Sequence, residues 1–316
     1  MKHLHILTNS SRLCYQECPQ KYYLRNVLEI VARIDRDALT FGTACHEWLD
    51  PWWSGKPTPL IHLSDPYQEM KLKAMLVGYD IRWFDWRKQE GVAVAGKPEM
   101  EFRVPLVNPD TGARSTFWAV AGKIDVPLMI RDTLWIGEHK TSSDTDPSYF
   151  ERLRLCSQIS TYLMAAESLG LGRPAGVLYD VLKKPQLKPL KASEDYRLNK
   201  DGSKPKNKRE FDETPDEYYT RCLESIGAAP QEYYQHYEVV RLESEVERAA
   251  RDLWFVAASI RESMGTGRWP MNPGSCRTYK RMCEYWPICS GRSNPEDSTM
   301  YEHRSLHSEL SEGTRK

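Results

Sequence analysis

The sequence predicts one mixed α/β domain, a central mixed sheet flanked by helices, and three features carry that prediction. Helical patterning fills the chain up to Gly91, with aromatic residues recurring on one face. After Gly91 short β-branched and aromatic segments alternate with turn residues, the texture of a strand meander. A helix, one more apolar strand and two further helices follow, an order that settles around a single sheet.

Ser10 and Ser11 are candidate caps for a short helix running toward Cys18-Pro19, with Lys21-Tyr-Tyr-Leu-Arg25 continuing the helical pattern. A second helix includes Phe41-Gly-Thr-Ala-Cys-His46-Glu-Trp-Leu49, and a long amphipathic one runs from Asp65 to about Gln89. Glu101-Phe-Arg-Val-Pro105, Trp118 to Met129 and Leu134 to Lys140 read as strands. Asn108-Pro-Asp-Thr-Gly112 is a turn, and Arg131-Asp-Thr133 suits a hairpin. A helix from Pro147 to Leu169 is ended by Gly170 and Gly172, and Gly176 to Leu182 is an apolar strand. Helices at Pro215–Ile226 and Glu243–Met264 flank a strand-like Tyr233–Leu242. Residues 183–209 hold ten Lys or Arg against three Asp or Glu and are broken by Pro185, Pro189, Gly202 and Pro205, as in a mobile basic insertion. Residues 1–290 are expected to form the domain, with 291–316 a polar, disordered tail.

Composition narrows the function. A hydrophobic content of 40% with 17 Tyr and 10 Trp is ample for a packed core. Zero net charge gives no global signature of nucleic-acid binding, so any such binding needs a local patch. No run of about 18 apolar residues suggests a membrane span, and Met1–Ser10 lacks a signal layout, so the expected location is the cytoplasm. In that reducing compartment eight cysteines point to metal ligation before disulfides.

The informative core is Gly122-Lys-Ile-Asp125 followed by Glu138-His-Lys140. Alternate residues of a strand share a face, so Glu138 and Lys140 project together while His139 points away. A hairpin pairing would bring Asp125 beside Glu138. Two carboxylates and a lysine suit phosphodiester hydrolysis: the oxygens hold Mg²⁺ or Mn²⁺, and the lysine orients water or stabilises developing charge. A Glu-x-Lys on a strand is common by itself. Here it is preceded by Gly42-Thr-Ala-Cys-His46 and followed by Gln158-Ile-Ser-Thr-Tyr162.

That ordered set resembles the RecB-type branch of the PD-(D/E)XK nucleases, which includes the CRISPR-adaptation exonucleases and the nuclease domain of AddB. The resemblance spans most of residues 8 to 290 and implies a restriction-endonuclease-like core. It implies His46, Asp125 and Glu138 as metal ligands, joined by the backbone carbonyl of His139, and Lys140 as the catalytic lysine. Gln158 and Tyr162, four apart on a helix, would position the site and the DNA. Glu101 stands where the family often has a further acid, with Glu99 the competing choice.

Cys276, Cys283 and Cys289 cluster late in the chain, and Cys18 lies near its start. Four thiolates suit a cubane cluster or a tetrahedral Zn²⁺. The context Cys18-Pro-Gln-Lys-Tyr-Tyr23 is similar to the first cysteine motif of the iron–sulfur members of the same branch, which implies a [4Fe–4S] cluster stapling the chain ends. Six residues separate Cys276 from Cys283 where the compact family pattern has two, so Zn²⁺ stays in play. Cys14 is a substitute ligand, while Cys45, Cys156 and Cys222 read as small buried side chains.

The basic insertion, with Arg277, Lys280 and Arg281, could supply a phosphate-holding groove, and nearby Tyr and Trp could stack bases. No phosphate-loop motif occurs, so a helicase or recombination partner would be a separate protein. The expectation is a metal-dependent exonuclease on single-stranded DNA ends. The rivals are a catalytically idle DNA-binding scaffold, an endonuclease on the same core and a zinc-stapled RNA-processing protein.

Overall fold

A computed structural model describes residues 4–33, 37–193, 209–278, 281–305 and 310 of the chain. Its architecture grows from β7 (Thr133–Ser142) and β8 (Val177–Lys183), a parallel pair at the centre of a five-stranded sheet. β6 (Val126–Ile130) joins β7 in an antiparallel hairpin, and β3 (Ala93–Val94) and β9 (Tyr234–Val239) close the edges, giving the order β3-β6-β7-β8-β9. The hairpin turn is the expected Arg131-Asp132, with φ of 47° and 63°. Two consecutive left-handed residues match the right-handed twist of the strands they join.

β8 is buried over six of its seven residues, and its alternation divides the core in two. Val177, Tyr179 and Val181 face a cluster built with α1 (Asn9–Glu17), α6 (Ser157–Ser168) and α9 (Glu243–Thr266). Leu178 and Leu182 face another built with α3 (Asp37–Trp53), α4 (Pro66–Gln89) and α7 (Pro215–Ala228). A strand apolar on both faces is what helices on both sides of a sheet require. Asp65 caps α4 by accepting from the Tyr67 and Gln68 N–H groups.

The expected single sheet divides in two. The Trp118–Met129 segment breaks at Asp125 into β5 (Arg114–Ile124) and β6, and β5 lies in a second sheet between β1 (His5–Leu7) and β4 (Met100–Val107). The break has a hydrogen-bonding cause. The Asp125 carbonyl accepts the Glu99 N–H at 2.7 Å, and its carboxylate accepts the His139 N–H at 2.8 Å, which withdraws both groups from a regular ladder. Gly137 sits opposite Val126, where an added Cβ would lie 2.6 Å from a Val126 methyl, so the close approach requires glycine.

Other expectations are adjusted. Thr8, not Ser10 or Ser11, caps α1, in a reciprocal pair with Ser11. The helix expected over 147–169 is interrupted, giving α5 (Pro147–Leu153) and then α6 after Cys156. α2 (Pro19–Tyr22) passes into a π-helical turn at Tyr23–Val27 before β2 (Ile30–Ala32). Within the segment expected to be a polar tail, Tyr301–His303 forms a strand that pairs antiparallel with β2, while 306–309 and 311–316 lie outside the described residues. Of the basic insertion, 194–208 lie outside the described residues. Its flanks are tied down by Ser193 donating to Arg209 and by the Leu190 N–H reaching the Glu213 carboxylate.

The two chain ends meet beside a third small core of Leu24, Ile30, Ala32, Tyr285 and Tyr301. There a short hairpin, β10 (Arg277–Thr278) with β11 (Arg281–Met282), precedes the helical turn Trp286–Cys289. No helix among the described residues is long and apolar enough to cross a membrane.

Candidate active site

An open cavity of about 730 Å³ lies where the two sheets part, and it gathers residues distant in sequence. α3 contributes Gly42, Thr43 and His46, β5 Gly122 and Lys123, the break Asp125, β7 Glu138 and Lys140, and α6 Gln158 and Tyr162. Strand periodicity explains Glu138 and Lys140: they share one face of β7, and the antiparallel register Val126↔Gly137 places Asp125 next to Glu138.

His46 Nδ1 stands 3.7 Å from Glu99 Oε1 and 3.7 Å from Asp125 Oδ2. The three residues offer ligand atoms all within 4.8 Å of one another. Burial alone would lower the His46 pKa, but the Glu99 acceptor and the negative field of Asp125, Glu99 and Glu138 push it up to about 9. A histidine in this environment attracts positive charge, which a proton supplies when no cation is bound.

Glu138 is nearly inaccessible to solvent. Its Oε1 accepts from Lys140 Nζ and, at 3.0 Å, from Gln158 Nε2, whereas its buried Oε2 has no hydrogen-bond partner among the described residues. Burial, then repulsion from Asp125, raises the Glu138 pKa against the opposing pull of Lys140. Gln158 also donates to the Tyr162 hydroxyl at 2.6 Å, so the pair four apart on α6 acts as one brace behind Glu138. A crowded acidic pair with an orphaned buried oxygen fits a hard divalent cation, which would satisfy that oxygen and relieve the repulsion.

Glu101 falls outside this cavity. Its carboxylate lies 3.7 Å from Lys123, while Glu99 occupies the expected acidic position and meets the same lysine at 3.5 Å. Glu99 has φ of 50° and precedes β4, so strand alternation could not find it. The backbone bond to Asp125 turns its side chain inward.

Behind β7 lies a group that the sequence reading missed. The His139 side chain points away from Glu138, as alternation requires, and its Nδ1 meets Asp180 Oδ2 at 2.9 Å. Tyr79 donates to the same oxygen at 2.5 Å, and His236 Nε2 stands 3.5 Å from Oδ1. Trp53 stacks on His139 and Trp83 on His236. Burial would raise the Asp180 pKa, but the bond with His139 and the nearby His236 hold it well below the usual carboxylate range. The only sequence signal was an acidic residue inside an otherwise apolar strand.

Cys18 closes α1, and its Sγ accepts the Asn272 N–H at 3.4 Å, while the Asn272 side chain donates to the Glu17 carbonyl at 2.8 Å. The Cys283 N–H donates to the Cys276 carbonyl at 2.8 Å. Burial, then the neighbouring Cys18 and Cys276, raises the Cys289 thiol pKa. The fold therefore brings segments from both chain ends into one region, but no three of these sulfurs lie within 4.8 Å of one another, as the ligand atoms of His46, Glu99 and Asp125 do. Cys14 belongs to the main core instead, its thiol pushed up to about 11 by burial. Cys45 and Cys222 are buried and Cys156 half-buried. Lys280 lies outside the described residues, while Arg277 and Arg281 are exposed on the short hairpin.

A family model of the PD-(D/E)XK nuclease superfamily matches residues 7–290. Among solved structures, one described as "Crystal structure of SSO0001" is 10% identical, with a TM-score of 0.33, covering 81% of this chain and 78% of that one. No curated protein matches.

Proposed function

The chain belongs to the PD-(D/E)XK nuclease superfamily, and from that premise we propose that it is a Mg²⁺- or Mn²⁺-dependent deoxyribonuclease of the RecB-type branch. On this reading it degrades single-stranded DNA from its ends, in the cytoplasm, during recombination, repair, replication or CRISPR adaptation. The observation that carries the reading is the convergence of His46, Asp125, Glu138 and Lys140 on one cavity braced by Gln158 and Tyr162.

His46, Asp125, Glu138 and the carbonyl of His139 would hold the cation, with Glu99 beside them in place of Glu101. When bound, the cation neutralises the scissile phosphate and lowers the pKa of an attacking water. Lys140 keeps its proton, because the field of Glu138 and Asp125 outweighs its desolvation and raises its pKa. It therefore orients the water or offsets the negative charge that grows on the phosphorus-bound oxygens. Gln158 holds Glu138 in place, and the carboxylate oxygen without a partner among the described residues would be available to the cation. Water oxygen forms the new bond to phosphorus, the ester P–O bond breaks, and the leaving oxygen takes up a proton.

Cys18, Cys276, Cys283 and Cys289 are proposed to hold a [4Fe–4S] cluster, the alternative being Zn²⁺. The meeting of the chain ends around these four residues supports a structural clasp. A link of that kind closes a very long loop and restricts the unfolded chain. A helicase or recombination partner would be a separate protein.

The test is cleavage of end-labelled single-stranded, duplex and circular DNA with Mg²⁺, Mn²⁺ or EDTA, alongside iron, sulfide and zinc analysis. Metal-dependent loss of linear single strands with circles intact is the expected outcome. Cleavage of circles would replace the exonuclease with an endonuclease, and inert protein with its cluster intact would favour a DNA-binding scaffold.

A further inference from the structure

A second polar cavity, of about 310 Å³, lies on the other side of α6 from the catalytic one, between α1 and α9. Helical spacing explains the arrangement. Gln158 and Tyr162 face the catalytic cavity, Ser157 and Ser160 face the second, and Thr161 lines both.

Three observations say that the second cavity is built for an anion. The first is Arg12, a guanidinium only 6% exposed. Its hydrogen-bond partners are Gln16, Asn9 and Ser157, all uncharged, and it makes no ion pair within 4.0 Å among the described residues. Burial lowers its pKa despite the fields of Cys156 and Asp252, so its charge is undercompensated. The second is Ser160, only 3% exposed, whose hydroxyl lines the cavity without a hydrogen-bond partner among the described residues. A helix serine would ordinarily bond back to the carbonyl four residues earlier, as Thr161 does to Ser157. The third is the start of α6 itself, a twelve-residue helix whose N-terminus has no side-chain cap, leaving first-turn N–H groups open.

The charges around the cavity also leave room for an anion. Arg12, Arg241 and Arg248 face Glu245 and Asp252, three cations against two acids. Glu245 is partly occupied, its Oε2 accepting the Leu242 N–H at 2.8 Å and its Oε1 lying 3.7 Å from Arg241. The Nε of Arg241 is buried without a hydrogen-bond partner among the described residues.

We propose that this cavity binds a phosphate group of the DNA strand whose neighbouring ester is cut in the catalytic cavity. Its position supports that link. Ser157 Oγ donates to Asn9 at 3.1 Å, Asn9 lines the catalytic cavity, and Ser157 directly precedes Gln158, which holds Glu138. A phosphate seated at the head of α6 would thus set the strand's register against the cleavage centre. The choice of a DNA phosphate as the ligand rests on the nuclease reading above, whereas the anion site itself does not.

Binding is measured on the full-length protein in EDTA, where cleavage cannot occur. The probes are inorganic phosphate, followed by the thermal midpoint at constant ionic strength, and short single strands ending in phosphate or hydroxyl. Arg248→Ala, at an exposed rim, and Ser160→Ala, nearly isosteric, keep the fold testable. Phosphate should raise the wild-type midpoint by mass action, and the double variant should lose that rise. Single strands should bind the double variant about tenfold more weakly, the scale of one charge-assisted hydrogen bond. A tenfold preference for phosphorylated ends that the double variant abolishes identifies a terminal phosphate. Equal binding of both ends with the same tenfold loss identifies an internal phosphodiester. Phosphate stabilisation that is absent from wild type, or identical in the double variant, overturns the site. Phosphate binding here by a protein that never cleaves DNA keeps the site and removes only the nuclease reading.

Discussion

Strand β7 separates two carboxylates buried to the same depth but set among different partners. On its front face Glu138 is 2% exposed, and on its back face Asp180, reached through His139, is also 2% exposed. Burial and then repulsion from Asp125 raise the Glu138 pKa, and Lys140 does not reverse the shift. Burial acts in the same direction on Asp180, but His139 and His236 outweigh it and lower the pKa. Burial pushes both carboxylates up, so the opposite net directions come from their partners. The front group stands beside a second acid, whereas the back group lies between two histidines and anchors His139, whose N–H fixes Asp125.

Variants on the two faces should therefore fail differently. The largest effect is expected at the front: Glu138→Gln or Asp125→Asn should lower metal-dependent cleavage by on the order of 10³-fold while leaving the metal-free thermal midpoint unchanged or raised. A large fall in that midpoint would break the contrast. Next comes Asp180→Ala, which leaves His139 and His236 around a missing partner and should cost about 3–5 kcal/mol in urea unfolding. Asp180→Asn, which keeps the shape, should cost about 1–3 kcal/mol. A smaller effect belongs to Gly137→Ala, whose methyl would press on Val126 and cost about 1–3 kcal/mol, since the hairpin backbone can shift to relieve part of it.

The smallest effect is a pair of opposite pH dependences in EDTA. Asp180 has a folded pKa below its unfolded one, so its contribution is present above about pH 4 and is lost as pH falls below that. Glu138 has a raised folded pKa, so its contribution is greatest at low pH and declines as pH rises above about 4.5. Midpoints measured from pH 3 to 8 should diverge from Asp180→Asn most at the alkaline end, and from Glu138→Gln with the opposite trend. Parallel curves would show that the two carboxylates are alike after all.

Much of this was legible in the sequence, because the front face obeys local rules. Glu138 and Lys140 follow from strand alternation, their meeting with Asp125 from a hairpin, and the Gln158–Tyr162 brace from helical spacing. The rest depends on groups that meet only in three dimensions. The division into two sheets needs the Glu99 N–H to find the Asp125 carbonyl, and the same bond turns Glu99 rather than Glu101 into the cavity. Asp180 looked like a lone acid in an apolar strand, because its partners come from α4, β7 and β9. Arg12 and Ser160 gave no sequence signal, since an anion site between three helices has no spacing of its own.

The most direct test of the account is cleavage of end-labelled single-stranded DNA in Mn²⁺ by wild type, Lys140→Ala and Asp180→Asn, compared at equal folded concentration well below each midpoint. Lys140→Ala should keep its fold and lose at least about 10²-fold in rate, while Asp180→Asn should melt earlier but cleave within about tenfold of wild type. Cleavage by Lys140→Ala at the wild-type rate would place the chemistry elsewhere and contradict it.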